Sequence, residues 1–253
     1  MLSIRIECGM FDGKHIVVTG ATSGIGYAVT KDLLAAGARV TAIGRNTSRL
    51  NELKSIGRGA LMPLPFDLTE FTRYRAIFSE IEAIDGLVYS AGIVENNPLR
   101  FFSMEKYQRT VDINQTAPLA LVSEFARVGK FADGASIVLL SSILGTNIAM
   151  KGTAAYAGTK AALLAYAKVI SLELAHKFIR ANCVAPGMVE TELVANAHQL
   201  SAESIRADKD RYPLGKRYAQ AGEISSTIRF LLSSDSSFIT GQNIVVDGGY
   251  CAQ

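Results

Sequence analysis

Short apolar, β-branched runs alternate with longer stretches of helical periodicity along nearly the whole chain. HIVVTG (15–20), RVTAIG (39–44), DGLVYSAG (85–92), ASIVLLSS (135–142), RANCVAPG (180–187) and NIVVDGG (243–249) read as strands, and PLPFDL (63–68) brings the expected number to seven. Between them, 25–36, 69–83, 103–129, 153–178 and 222–233 repeat apolar residues at helical spacing. Strands apolar on both faces and separated by helices imply a parallel sheet covered on each side, the α/β doubly wound arrangement. With no internal repeat and no linker rich in Pro, Gly or Ser, one domain spanning 11–253 is the simplest organisation. Residues 1–10, MLSIRIECGM, precede the pattern and read as an N-terminal tail or a misplaced start. The longest stretch without strand character, 187–221, is polar and follows a strand's C-terminal end, where open α/β sheets bind ligands. It reads as a substrate lid, with a peripheral helical excursion as the alternative.

The stretch VVTGATSGIGYAV leaves the first strand and turns through Gly20, Gly24 and Gly26, with Thr22, Ser23 and Ile25 between them. It then opens a helix whose N-terminal amides can hold a pyrophosphate. Glycine lets the backbone approach the phosphates, and a place in the first strand–helix unit points to a Rossmann-type dinucleotide site. Cofactor choice is set at the end of the second strand, where an acidic residue would accept hydrogen bonds from the ribose hydroxyls. Gly44 stands there, followed by Arg45, whose planar donors suit phosphate oxygens. NADP(H) is favoured, and NAD(H) is the alternative if Arg45 is a solvated loop residue. Asp67 is placed to meet the adenine amino group or to cap the helix starting near Thr69.

Tyr156 and Lys160 lie one helical turn apart behind a serine pair, Ser141 and Ser142. A tyrosine hydroxyl with a pKa of about 10 is a poor acid or base at neutral pH and needs a nearby cation. Lowering that pKa by roughly 3 units takes about 4 kcal/mol, more than a surface ion pair supplies. The site must be partly desolvated or helped by a cofactor's charge.

Composition narrows the remaining classes. The chain has 253 residues, is 49% hydrophobic and carries a net charge of +3, with its cations scattered. That suggests neither a nucleic-acid stripe nor a membrane patch, and no run of 18 apolar residues occurs. The three cysteines, Cys8, Cys183 and Cys251, are far apart and the histidines number three, so no metal site and no disulfide framework is indicated. A soluble protein in a reducing cytoplasm acting on a small molecule is the expectation.

In their order, these residues identify the chain as a member of the short-chain dehydrogenase/reductase family, from Phe11 to about Gly249. The markers are the turn from Thr19 to Gly26, Asp67 and Leu68, an element at Ser90, Ala91 and Gly92 where the family usually has Asn-Ala-Gly, and Asn114. Ser142, Tyr156, Lys160, Pro186, Gly187 and the terminal DGG follow. The resemblance implies that Tyr156 is the general acid or base, that Ser142 holds the substrate oxygen, and that Lys160 binds the nicotinamide ribose. Asn114 would fix a water behind Lys160, while Thr191 and the Val189 backbone would orient the nicotinamide. The family places its serine one residue nearer the tyrosine, so ILGTNIAMKGTAA carries an extra residue expected to reshape one pocket wall. The resemblance further implies pairing through the 103–129 and Tyr156 helices in a homodimer or homotetramer. The overall pattern is similar to 3-oxoacyl-carrier-protein reductases, and Arg211, Lys216 and Arg217 would be placed to attract a carrier-bound or phosphorylated substrate. A sugar, polyol or steroid alcohol dehydrogenase is the alternative within the class, and a cofactor-sensing or scaffold protein the alternative outside it.

Overall fold

In the computed structural model, which describes residues 9–57, 59–191 and 201–252, the apolar runs sort their side chains to opposite faces of one sheet. The strands are β1 (His15–Thr19), β2 (Arg39–Gly44), β3 (Leu61–Pro65), β4 (Ile84–Tyr89), β5 (Phe131–Leu140), β6 (Arg180–Pro186) and β7 (Asn243–Val246). They lie in the order β3-β2-β1-β4-β5-β6-β7, with every neighbouring pair parallel. Val17, Leu87, Tyr89, Ile137 and Leu139 enter one core, while Ile16, Val18, Val88, Val138 and Leu140 enter the other. This alternation explains why the strands read as continuously apolar. Each large aliphatic or aromatic side chain fully buried this way contributes about 1.5–3 kcal/mol.

The first core is closed by α3 (Tyr74–Phe78), α5 (Ala117–Arg127) and α7 (Ala154–Glu173), through residues such as Phe78, Phe125 and Leu163. The second is closed by α1 (Gly24–Ala35), α2 (Thr47–Gly57) and α9 (Ala221–Leu232), through Leu33, Leu53 and Ile228. Between these lie α4 (Met104–Val111), the short α6 (Ile143–Thr146) and α8 (Ala202–Asp210). Some of the helix starts are capped by side chains. Asn46 Oδ1 accepts from Arg49 N at 3.0 Å at the start of α2, and Gln220 N donates to Glu223 Oε2 at 2.8 Å in the capping box of α9.

Several elements differ from the sequence expectation. The helix expected over 69–83 is a 3₁₀ turn, Phe71–Arg73, followed by α3 alone. Phe66, Phe71, Tyr74 and Phe78 still form one edge-packed aromatic cluster, so the periodicity marked the buried residues and not the helix length. The stretch 103–129 is α4 and α5 joined by a π-helical turn, Asp112–Thr116, and β5 begins four residues before ASIVLLSS. Helix α2, not expected from the sequence, buries only Leu50, Leu53 and Gly57 amid polar residues. Of the expected tail, 1–8 lies outside the described residues, and Phe11 is buried with its amide donating to Ala36 O at 3.0 Å. Within 187–221, residues 192–200 lie outside the described residues; α8 and the Val189–Ala219 bridge flank them.

Candidate active site

The strand order reverses direction at β1 and β4, which opens a crevice beyond their C-terminal ends. A cavity of about 330 Å³ fills it. One wall is the turn, with Gly20, Thr22, Ser23, Gly24 and Ile25. Gly44, Arg45, Asp67 and Leu68 form the far end, and Ser90, Ala91, Gly92 and Thr191 the side toward the sheet centre. Thr19 Oγ1 accepts from Ser90 N at 3.1 Å and Ala91 N at 3.2 Å, which locks the ends of β1 and β4 together.

The cavity fits a dinucleotide. Gly20 has φ +64°, and a Cβ there would lie 2.8 Å from Ala91 N; a Cβ on Gly26, behind the turn, would collide with the Gly20 carbonyl oxygen. Both positions need glycine. Ser23 makes no side-chain cap and the first turn of α1 holds no acid, so its amides are presented to an incoming anion.

A second cavity of about 130 Å³ adjoins the first, with Ile25, Ser90, Gly92, Leu140 and Thr191 lining both. Ser142, Tyr156 and Lys160 converge on it, as do Pro186, Gly187 and Val189. Ser142 is the N-cap of α6, its Oγ accepting from Leu144 N at 3.1 Å, and it lines the same cavity as Tyr156. Ser141 differs. Its hydroxyl lies within donating distance of Val184 O (3.0 Å) and Asn243 Oδ1 (2.8 Å), and so is engaged with the sheet. Lys160 Nζ donates to Leu140 O at 2.7 Å and sits 5.8 Å from the centroid of the Tyr156 ring.

Asn114 lies on the π-helical turn, fully buried. Its Oδ1 accepts from Ile93 N and its Nδ2 donates to Ile93 O, both at 2.9 Å, with a further contact from Nδ2 to Thr159 Oγ1 at 3.3 Å. The side chain therefore clamps the segment after β4 to α7. A Cβ on Gly92 would lie 3.3 Å from Asn114 Oδ1 and 3.4 Å from Lys160 Nζ, so glycine keeps the space between those two groups open.

Burial governs the electrostatics. It lowers the Lys160 pKa to about 8, partly opposed by the Cys183 thiol, and it raises the Cys183 pKa to about 12. Tyr156 is also raised by burial, which outweighs the lowering influence of the neighbouring Ser142 side chain. The lysine-driven lowering expected from the sequence is thus not the net result here. The ammonium is committed to the Leu140 carbonyl rather than to the phenol. At neutral pH Tyr156 is a protonated phenol, the form that can donate.

At the far end, Asp67 Oδ1 accepts from Thr69 N at 3.0 Å and Thr69 Oγ1 at 2.8 Å, the local capping contact open from the sequence. Its Oδ2 lies 3.7 Å from Arg45 Nη1. Gly44 has its own steric reason: a Cβ there would lie 2.6 Å from Thr22 Cγ2. Thr191 is held over the turn, its Cγ2 lying 3.2 Å from where a Gly24 Cβ would stand.

Sequence reasoning missed other wall residues. Ile93, Arg109 and Ile113 line the larger cavity, with Arg109 3.6 Å from Glu95 Oε1. Val94, Leu144, Met150 and Met188 line the smaller one. Met188 N donates to the Tyr212 hydroxyl at 3.0 Å, so Tyr212, from the segment after α8, fixes the Pro186–Val189 turn. A lone tyrosine 24 residues downstream carries no sequence signal for that contact.

A glycine-built dinucleotide crevice opening onto a serine–tyrosine–lysine cluster defines an oxidoreductase class. The family profile described as enoyl-(acyl carrier protein) reductase matches residues 20–251. The chain is 32% identical over 246 residues to the 3-oxoacyl-[acyl-carrier-protein] reductase of Salmonella typhimurium, covering 94% of this chain and 98% of that protein. It is 34% identical over 242 residues to the D-erythrulose reductase of Gallus gallus, covering 95% and 96%. A crystal structure of a putative gluconate dehydrogenase from Agrobacterium tumefaciens superposes with a TM-score of 0.88 at 27% identity, covering 98% of this chain and 100% of that one. The chain belongs to the short-chain dehydrogenase/reductase family. It is an NAD(P)-dependent oxidoreductase of the class acting on CH–OH and carbonyl groups. Among the described residues, no helix is long and apolar enough to cross a membrane.

Proposed function

We propose that this protein is an NADP(H)-dependent reductase interconverting a ketone and a secondary alcohol. The observation that carries the reading is the convergence of Ser142, Tyr156 and buried Lys160 on one small cavity that adjoins the dinucleotide crevice. A bound nicotinamide cofactor supplies the hydride. The residues Gly20 to Ile25, Ser90 to Gly92, Pro186, Gly187, Val189 and Thr191 would hold it, with Asp67 and Leu68 at the adenosine end. Gly26 supports the turn from behind.

The chain's own residues manage the proton. The Ser142 hydroxyl positions the substrate oxygen, and the Tyr156 phenol donates its proton to that oxygen as negative charge develops there. Lys160 stabilises the resulting tyrosinate, and the space between Lys160 and Asn114 suits a water that returns the proton. In the alcohol-to-ketone direction Tyr156 accepts the proton instead.

Two features support NADP(H). No carboxylate stands at Gly44, and Arg45 lies 72% exposed at the cavity's end. Its 3.7 Å contact with Asp67 is an exposed pair worth at most about 1 kcal/mol, so a 2′-phosphate can displace it. The same contact favours the second reading, NAD(H), if the guanidinium stays with Asp67. Calorimetric titration of NADPH and NADH into the wild type and Arg45→Asp separates them. Preference for NADPH that collapses in the variant supports the assignment; equal affinities for both cofactors in the wild type contradict it.

A 3-oxoacyl thioester is one ketone this site suits, by likeness to the Salmonella relative. The cations suggested for an acidic carrier are engaged locally: Arg217 with Glu223 at 2.7 Å, Lys216 with Asp210 at 3.3 Å and Arg211 with Asp208 at 3.8 Å. Substrate access past a lid at 187–221 and a cytoplasmic setting complete the proposal. Self-association through α5 and α7 belongs to it as well, supported by exposed Leu119, Val169 and Leu172.

A further inference from the structure

Beyond the cofactor-side residues, the wall of the smaller cavity is Val94, Leu144, Met150 and Met188. None offers a side-chain donor, and the two methionine thioethers are only weak acceptors. Among the described residues, the polar side chains lining this cavity are Ser142, Tyr156 and Lys160, the Ser141 hydroxyl already bonded into the sheet, and Ser90 and Thr191, which also line the larger cavity. The polar groups therefore serve one oxygen, and the rest of the wall is hydrocarbon and thioether.

This wall is held in place. Leu144 N donates to Ser142 Oγ, and Leu144 bridges to Ile148. Asn97 N donates to Gly152 O at 2.7 Å, tying the segment that follows Val94 to the one that follows Met150. Met188 is anchored by Tyr212. The extra residue between Ser142 and Tyr156 belongs to the segment that carries Leu144 and Met150, so it shapes this apolar side while Ser142 and Tyr156 still line one cavity.

Resting on the ketone–alcohol reading, we infer that the substrate is a ketone whose carbonyl carries an apolar chain or ring, in preference to a polyhydroxylated ketone. A chain hydroxyl entering this wall would leave water and find only weak thioether acceptors among the described side chains, whereas each buried methylene is favourable. The methionines can adapt to an irregular aliphatic outline.

The test uses the full chain with its tighter-binding cofactor and three probes: butan-2-one, hexan-2-one and D-erythrulose. Burying two more methylenes, at about fourfold each, predicts kcat/KM for hexan-2-one roughly tenfold or more above butan-2-one. An apolar pocket rejects even one added hydroxyl by about 100-fold, so D-erythrulose should fall at least that far below hexan-2-one. Met150→Gln combined with Met188→Gln should narrow the gap about tenfold. Saturation-transfer NMR of the two larger probes reads binding without turnover. D-erythrulose turned over as well as hexan-2-one, or giving an equal NMR signal, overturns the inference. No turnover of either ketone, with an NMR signal for hexan-2-one alone, overturns the ketone–alcohol reading and leaves the apolar class standing.

Discussion

Replacing Lys160 by methionine tests the electrostatics of the site through stability as well as activity. Lys160 is buried with a pKa lowered from 10.5 to about 8. That difference corresponds to about 3 kcal/mol held against the folded state wherever the lysine is charged in both states, which is below pH 8. Methionine removes this cost, but it also removes the 2.7 Å bond to Leu140 O, a charged hydrogen bond worth about 1.5–3 kcal/mol. The two changes nearly cancel at pH 7, so the informative quantity is the slope with pH. A cation whose folded pKa lies below its unfolded value binds fewer protons when folded, so stability rises with pH between about 8 and 10.5. From pH 7 to 9.5 the wild type should gain about 2 kcal/mol relative to Lys160→Met. The facing groups do not obscure this. Tyr156 and Cys183 are both raised by burial and stay neutral across the window in either protein. Urea unfolding of both proteins at the two pH values measures the difference, and parallel pH slopes would refute the buried-lysine account. Turnover should fall in the variant at every pH.

Tyr212→Phe should leave Met188 N without its partner, costing about 1–3 kcal/mol of stability. Because Met188 and Val189 line the smaller cavity, KM for the ketone should rise more than kcat falls, read from steady-state kinetics. Sedimentation at micromolar protein should show a dimer or tetramer, since Leu172 is 79% and Val169 52% exposed along α7; a monomer alone contradicts pairing through that face.

The fold was legible where one signal sufficed. Apolar runs and their helical spacers predicted the parallel seven-stranded sheet, because burial on both faces leaves no polar alternation in a strand. Thr47–Gly57 was not legible: two buried leucines and a glycine hold it, and its remaining surface is polar. The π-helical turn was hidden because an inserted residue shifts the phase without changing the composition around Asn114. At the site, the glycine turn and the residues Ser142, Tyr156 and Lys160 stood out because phosphate approach and proton transfer demand particular side chains at particular spacings. Val94, Met150, Met188 and Tyr212 did not, since apolar walls and single anchoring bonds accept many residues and depend on contacts between distant segments. The direction of the Tyr156 pKa was not legible either, because the burial that raises it is made by contacts between distant segments and not by the spacing to Lys160.

The most direct measurement compares wild type with Tyr156→Phe for ketone-dependent NADPH oxidation, alongside calorimetric binding of NADPH. If the phenol is the proton donor, the variant loses at least about 100-fold in kcat, the lower range for a general acid, and binds NADPH as the wild type does. A variant that retains kcat would contradict the account.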